Sequence, residues 1–176
     1  MKMYTILDGE KRLQGISSSP LGENSIELEV NSDHEVMHNP YIYRYIDGKL
    51  VRDNEQHLQE VKKEKIEEMK IVCEEKIKQG FLSSNGNYYR LNEHDQMNIM
   101  SQYVAMKSNQ NIETIRHETE NNGCVEHTRE EWETVYNESL NHKSKCLLHY
   151  DYLKTYIDRL KTIEDVQAVT WGTNDD

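Results

Sequence analysis

Five side chains in the C-terminal half have the types and spacing of a metal site. Cys124-Val125-Glu126-His127 is a Cys-x-x-His step, and His142, Cys146 and His149 stand at i, i+4 and i+7, on one helical face. Four such donors could hold zinc. Against that, no second close-spaced pair completes the motif, and Cys146 falls on the apolar seam of its own helix. Separate surface histidines around a buried thiol is the favoured reading, so no metal is assigned. The chain's 32 carboxylates make any acid/base pair a matter of chance. Glu130, Glu131 and Glu133 open a helix, where negative charge complements the dipole. There is no Gly-rich phosphate loop, nucleophile elbow or HExxH. Cys73 lies mid-helix among apolar residues, as packing. No catalytic residue and no cofactor is expected.

The other chemistry on offer is adhesive. Eleven tyrosines stand against one phenylalanine. Tyr41, Tyr43 and Tyr45 alternate along one strand and Tyr88 sits on a hairpin, a set suited to touching another protein. Trp132, Tyr136, Ser139, Lys143, Cys146, Tyr150, Leu153, Ile157 and Leu160 follow a 4-3-4-3 spacing, the seam of a long helix packed on another. Its partner is either helix 54–79 or the same helix of a second copy. Of these residues, Trp132, Tyr136, Tyr150, Leu153 and Ile157 join the four tyrosines as candidate partner-binding positions.

The elements that must position these groups can be read in order. Residues 1–52 are expected to form a small antiparallel β module with little core of its own. Its strands are Met3–Leu7, a return at Arg12–Ile16, Ser25–Val30 with Ile26, Leu28 and Val30 inward, and Tyr41–Ile46. Asp47-Gly48 turns the last of these into Lys49–Val51. His34–His38 is a single helical turn. Residues 53–80 are a connecting helix, Asn54–Gln79, with Glu67/Lys70 and Glu74/Lys78 pairs and first turns acting as a spacer. Ile66, Met69, Cys73 and Ile77 are its apolar face.

Residues 81–176 are expected to be a helical domain. Gly80 caps the helix in the left-handed region. Asn85-Gly86 makes a two-residue hairpin within 81–91, pairing Leu82 with Tyr89 and placing Leu82, Tyr89 and Leu91 on one face. Asn92 caps a helix from Glu93 to Met106, with Met97, Met100 and Val104 on one face, extended by Ile99, Tyr103 and Met106, as its core stripe. Residues 108–124 are polar, with Ile112 and Ile115 as anchors. Thr128 and Glu131 form a capping box for the longest helix, about 129–161. Gly172 onward is expected to fray. The fold class is α+β.

Hydrophobic content of 35% with 30% charged residues suits a helix-rich, segmented protein. A net charge of −11 argues against binding nucleic acid or an anionic membrane surface. No apolar run reaches membrane-span length, no signal-peptide core follows Met1, and three scattered cysteines suit a reducing cytoplasm.

Residues 62–161 resemble an uncharacterised domain family of tailed bacteriophages and prophages, encoded near tail-fibre genes. The likeness rests on Cys73–Phe81 (CEEKIKQGF), Ser83-Ser84, Tyr88–Arg90, Asp95-Gln96-x-Asn98, Thr128…Trp132 and His142-Lys143. Residues 1–52 are similar to a module on tail and baseplate proteins of Gram-positive phages, through Asn39-Pro40-Tyr41-Ile42-Tyr43-Arg44-Tyr45 and Asp47–Val51. The segment between Asn109 and Cys124 is more polar here than the family pattern. The resemblance implies a tail-fibre assembly chaperone or a minor tail or baseplate component, and no catalytic residues. Its partner would be a fibre or baseplate protein, or a second copy in a homo-oligomer. Its location would be the host bacterial cytoplasm during assembly, or the virion tail. The alternative is an acidic phage inhibitor that mimics nucleic acid to bind a host protein, motivated by the charge and the Glu-rich stretch 113–138. A hydrolase acting on cell walls ranks last.

Overall fold

The computed structural model describes residues 1–174, and the last two residues of the stretch expected to fray lie outside it. The chain divides into two units, Met1–Lys63 with Lys161–Gln167, and Glu64–Leu160 with Ala168 onward. The class is α+β.

In the first unit, β1 (Lys2–Thr5) pairs antiparallel with β2 (Ile26–Glu29), Met3 opposite Leu28. β3 (Tyr43–Ile46) pairs with β4 (Lys49–Arg52) around Asp47-Gly48, both at positive φ (49° and 78°), the geometry of a tight primed turn. The expected return strand at Arg12–Ile16 is reduced to single bridges, Leu7 to Leu13, Tyr4 to Ser17 and Arg12 to Arg44. Gly15, at φ 147°, interrupts its extension. These bridges still link the two pairs, in the order β2, β1, residues 12–17, β3, β4. Contrary to the sequence expectation, the module has a core of its own: Met3, Leu13, Leu28, Val30, Val36, Ile42 and Tyr43 are all buried in one cluster.

α1 (Asn54–Gln79) begins inside this unit. Asp53 accepts the Gln56 N–H at 3.1 Å and, on its other oxygen, Arg44 Nε at 2.7 Å and Arg12 Nε at 3.4 Å. One carboxylate thus caps a helix and ties β3 and the bridged Arg12 segment to it. The Gln56 N–H, and then Arg44, hold its pKa below the usual range. The first turns of α1 are therefore not a spacer. Lys70 pairs with Glu67 as expected, but Lys78 pairs with Glu75 rather than Glu74.

In the second unit, Met69, Cys73 and Ile77 are buried along α1. Gly80 stops the helix at φ 87°. β5 (Phe81–Leu82) and β6 (Tyr88–Tyr89) follow, with Phe81 opposite Tyr89. This register differs by one residue from the expected one. Gly86 alone takes positive φ, its N–H returns to the Ser83 carbonyl, and Asn85 Oδ1 accepts the Asn87 N–H. The connection is a three-residue loop with a bulge, and the slip inverts the faces. Phe81 is buried and Leu82 is 67% exposed.

α2 (Glu93–Ser108) starts on the Asn92/Asp95 capping box. The polar stretch then forms β7 (Thr114–Thr119) and β8 (Gly123–Thr128), a second hairpin where one was expected. Asn121 and Asn122 dock its tip on the first hairpin, through Tyr88 N–H, the Gly86 carbonyl and Asn87 Oδ1. α3 (Arg129–Arg159) opens on the Thr128/Glu131 box, and α4 (Ile163–Ala168) follows it. Phe81, Tyr89, Leu91, Ile99, Met106, Ile115, Trp132 and Val135 form the unit's core.

Candidate functional site

Of the five zinc candidates, Cys146 Sγ and His142 Nε2 come within 3.9 Å, and the five do not converge on one site. Cys124 is exposed on β8, while His127 is buried with Nε2 3.2 Å from Tyr89 Oη. His142 bonds the Lys76 carbonyl at 3.0 Å, and His149 bonds the Trp171 carbonyl at 2.6 Å. Cys146 is buried beside Cys73, whose thiol points to the Cys146 carbonyl at 3.5 Å. Burial pushes both thiols above their ordinary pKa. Among the described residues, no three histidine, cysteine or acidic side chains converge in a metal-holding group.

The predicted contact residues separate in the same way. Pro40–Ile42 is a 3-10 turn, so Tyr41 leaves the strand and lies exposed. Tyr43 is buried and donates to Glu35 at 2.8 Å, and Tyr45 is half-buried. The three tyrosines therefore form no common face. Tyr88 is half-buried in the first hairpin. Trp132, Leu153 and Ile157 have no exposed surface and cannot meet a partner in the folded chain. Tyr136 stacks on Tyr103 with centroids 3.8 Å apart, and Tyr150 packs beside Cys73, Ile77 and Cys146. The heptad seam is thus real, and the C-terminal half of α1 covers part of it.

Behind that seam lies a polar interior. Trp132 is ringed by His117 and His127, with centroids 4.8 and 5.4 Å away, and its buried Nε1 has no hydrogen-bond partner. Gln102 donates to the Arg116 carbonyl and accepts from His117 at 2.9 Å, which places the His117 proton on Nδ1. Burial lowers the pKa of both histidines and so favours their neutral form. A polar cleft of about 240 Å³ opens beside His117. Its Arg90 is paired with Glu120 at 2.7 Å, and no nucleophilic serine, cysteine or lysine lines it.

The surface with chemistry to spare is one the sequence reading assigned to the core. On α2, Ile99, Met106 and Tyr103 turn inward, while Met97, Met100 and Val104 are 68%, 58% and 50% exposed. Lys107 to Glu133 at 2.7 Å, Tyr103 on Tyr136 and Lys143 to Gln96 at 2.8 Å fix α2 antiparallel to α3. That register sets Met100 level with Leu140, and Leu147 level with the start of α2. Leu140, Leu147 and Leu148 are all exposed. Each helix thus carries a strip of exposed apolar side chains, and the flexible methionines on α2 fit irregular partners.

Residues 60–170 match the family described as Domain of unknown function (DUF4376), and the chain belongs to that family. No curated protein and no solved structure matches the chain.

Proposed function

We propose that the chain is a bacteriophage or prophage tail accessory protein, a fibre-assembly chaperone or minor tail or baseplate component acting by protein–protein contact. The observation that carries this reading is the apolar strip of Met97, Met100 and Val104 with Leu140 and Leu147. Exposed apolar side chains that cluster on a surface suit contact with another protein. The sequence resemblance to families encoded near tail-fibre genes supplies the class of partner. The acidic-mimic alternative has less support, because the acids it relies on serve the fold: Glu120 pairs with Arg90, Glu126 with Arg116, Glu133 with Lys107, and Glu138 holds Ser83 and Ser84.

The test is co-expression with the C-terminal part of the tail fibre encoded beside the gene. Wild type should co-purify with it or raise its solubility, and Met100→Glu with Leu140→Glu should abolish both while leaving the melting temperature unchanged. Equal behaviour of wild type and the double variant would refute the reading. Presence or absence of the protein in purified virions separates component from chaperone.

A further inference from the structure

The first unit has two strand edges that face each other across a gap. Met1 and Val30 exchange backbone bonds at 2.6 and 3.0 Å, which makes Leu28 and Ile26 the next bonded positions of β2. The opposite side fixes the same parity, since Tyr4 spends its N–H and C=O on Ser17. The backbone groups of Glu27 and Glu29 therefore point away from β1. On β3, Tyr45 N–H goes to the Lys11 carbonyl, so Leu50 opposite it turns its own N–H and C=O away from β3. Among the described residues these outward groups of Glu27, Glu29 and Leu50 have no hydrogen-bond partner. Between the two edges runs a groove of about 630 Å³, lined by residues 27–31, His34, Tyr45 and residues 48–50.

We propose that this groove binds an extended segment of a different polypeptide, added as a strand between β2 and β4. Main-chain bonds to the free groups supply affinity, and side-chain alternation supplies choice. Inward residues of the guest would join Leu28, Val30 and Leu50 and so must be apolar. Outward residues would lie beside Glu29 and beside Glu27, whose carboxylate Lys2 already meets at 2.8 Å, and Lys49 is the one lysine or arginine among the residues that line the groove. Lysine or arginine fits there. Four residues of guest strand span about 13 Å, the length of β2. A second copy docking by its own β2 is disfavoured, because Glu27 and Glu29 would then face their like across the pair. The acidic edge repels copies of itself and admits a basic strand. This site is separate from the α2/α3 strip and stands without it.

The test uses the full chain and two capped eight-residue peptides, one alternating lysine with valine and one alternating glutamate with valine. The lysine peptide should bind and slow amide exchange at Glu27, Glu29 and Leu50 by at least about tenfold. The glutamate peptide should bind about fivefold more weakly or worse. Glu29→Lys should reverse that preference with an unchanged melting curve, and Glu27→Gln with Glu29→Gln should erase it. Failure of the lysine peptide to bind, protection of amides elsewhere, or an unaltered preference in either variant would overturn the proposal.

Discussion

Replacing Gly80 by alanine separates backbone conformation from close packing at the joint between α1 and the first hairpin. Gly80 sits at φ 87°, and an added Cβ would collide with the Tyr89 carbonyl oxygen and stand 2.7 Å from Arg90 Cα. Gly86 is the control: it has φ 82°, and nothing lies within 4 Å of its added Cβ. Positive φ alone costs an L residue about 1 kcal/mol, which is the whole expected effect of Gly86→Ala. At Gly80 the obstacle is backbone, so β6 must move. That movement strains the Phe81/Tyr89 packing and the Leu91 N–H bond to the Lys78 carbonyl at 3.2 Å. Overpacking of this kind adds about 2 kcal/mol and the hydrogen bond about 1 kcal/mol, for about 4 kcal/mol in all. Urea unfolding followed by tryptophan fluorescence reads this directly, because Trp132 lies in the same core as Tyr89. If the two variants differ by less than about 1 kcal/mol, the close approach is not what requires glycine at residue 80.

Further outcomes follow from the same contacts. Ile99→Ala should cost about 3 kcal/mol in urea melts and Met100→Ala under about 0.5 kcal/mol, since Ile99 is 1% exposed and Met100 58%; the reverse order would place α2 the other way round. His117 and His127 have folded pKa values below their unfolded one, so the unfolded chain binds more protons as pH falls through about 6.5. Stability should be full above that pH and drop below it, by at most about 1.4 kcal/mol per pH unit for each histidine; a flat ΔG between pH 7.5 and 5.5 would contradict their burial. Asp53→Ala should cost about 2 kcal/mol and Asp53→Asn less, because asparagine keeps the cap and loses only the charge that Arg12 and Arg44 meet; thermal melts of both would show it. A thiol reagent should label exposed Cys124 quickly and Cys73 and Cys146 only after unfolding, as mass spectrometry of the labelled chain would report.

What the sequence made legible was local. The Asn92 cap, the Thr128 capping box, the glycine stop at residue 80 and the Asp47-Gly48 turn are short-range geometry, and each stands where its residue types place it. The bounds of α1 and the heptad seam of α3 were legible because their apolar spacing is regular. The β7–β8 hairpin was not, because its inward row is Ile115, His117 and Thr119 against Val125 and His127. A buried His127 and a half-buried His117 around Trp132 do not register as a hydrophobic alternation. The α2 faces were not told apart because methionine and valine stand on one side and Ile99, Tyr103 and Met106 on the other. Periodicity alone does not choose between two apolar stripes. For the same reason the strip on α2 and α3 was hidden in the sequence, while Trp132, Leu153 and Ile157, named there as contacts, are interior. The β2/β4 groove depends on backbone parity, which no residue type reveals.

The chain carries two Asn-Gly steps, at Asn85-Gly86 and Asn122-Gly123, the pairs most prone to spontaneous deamidation. Ageing begins when the glycine nitrogen attacks the asparagine side-chain carbonyl. At the first step the Gly86 N–H is already held by the Ser83 carbonyl, and Asn85 is anchored at both ends, by the Asn87 N–H and by Tyr89 Oη. At the second, Asn122 is tethered to Asn87. The interlocked turns that join the two hairpins thus also protect them from a slow chemical clock. Once the joint loosens, that clock would put carboxylates where neutral amides now hold the hairpins together.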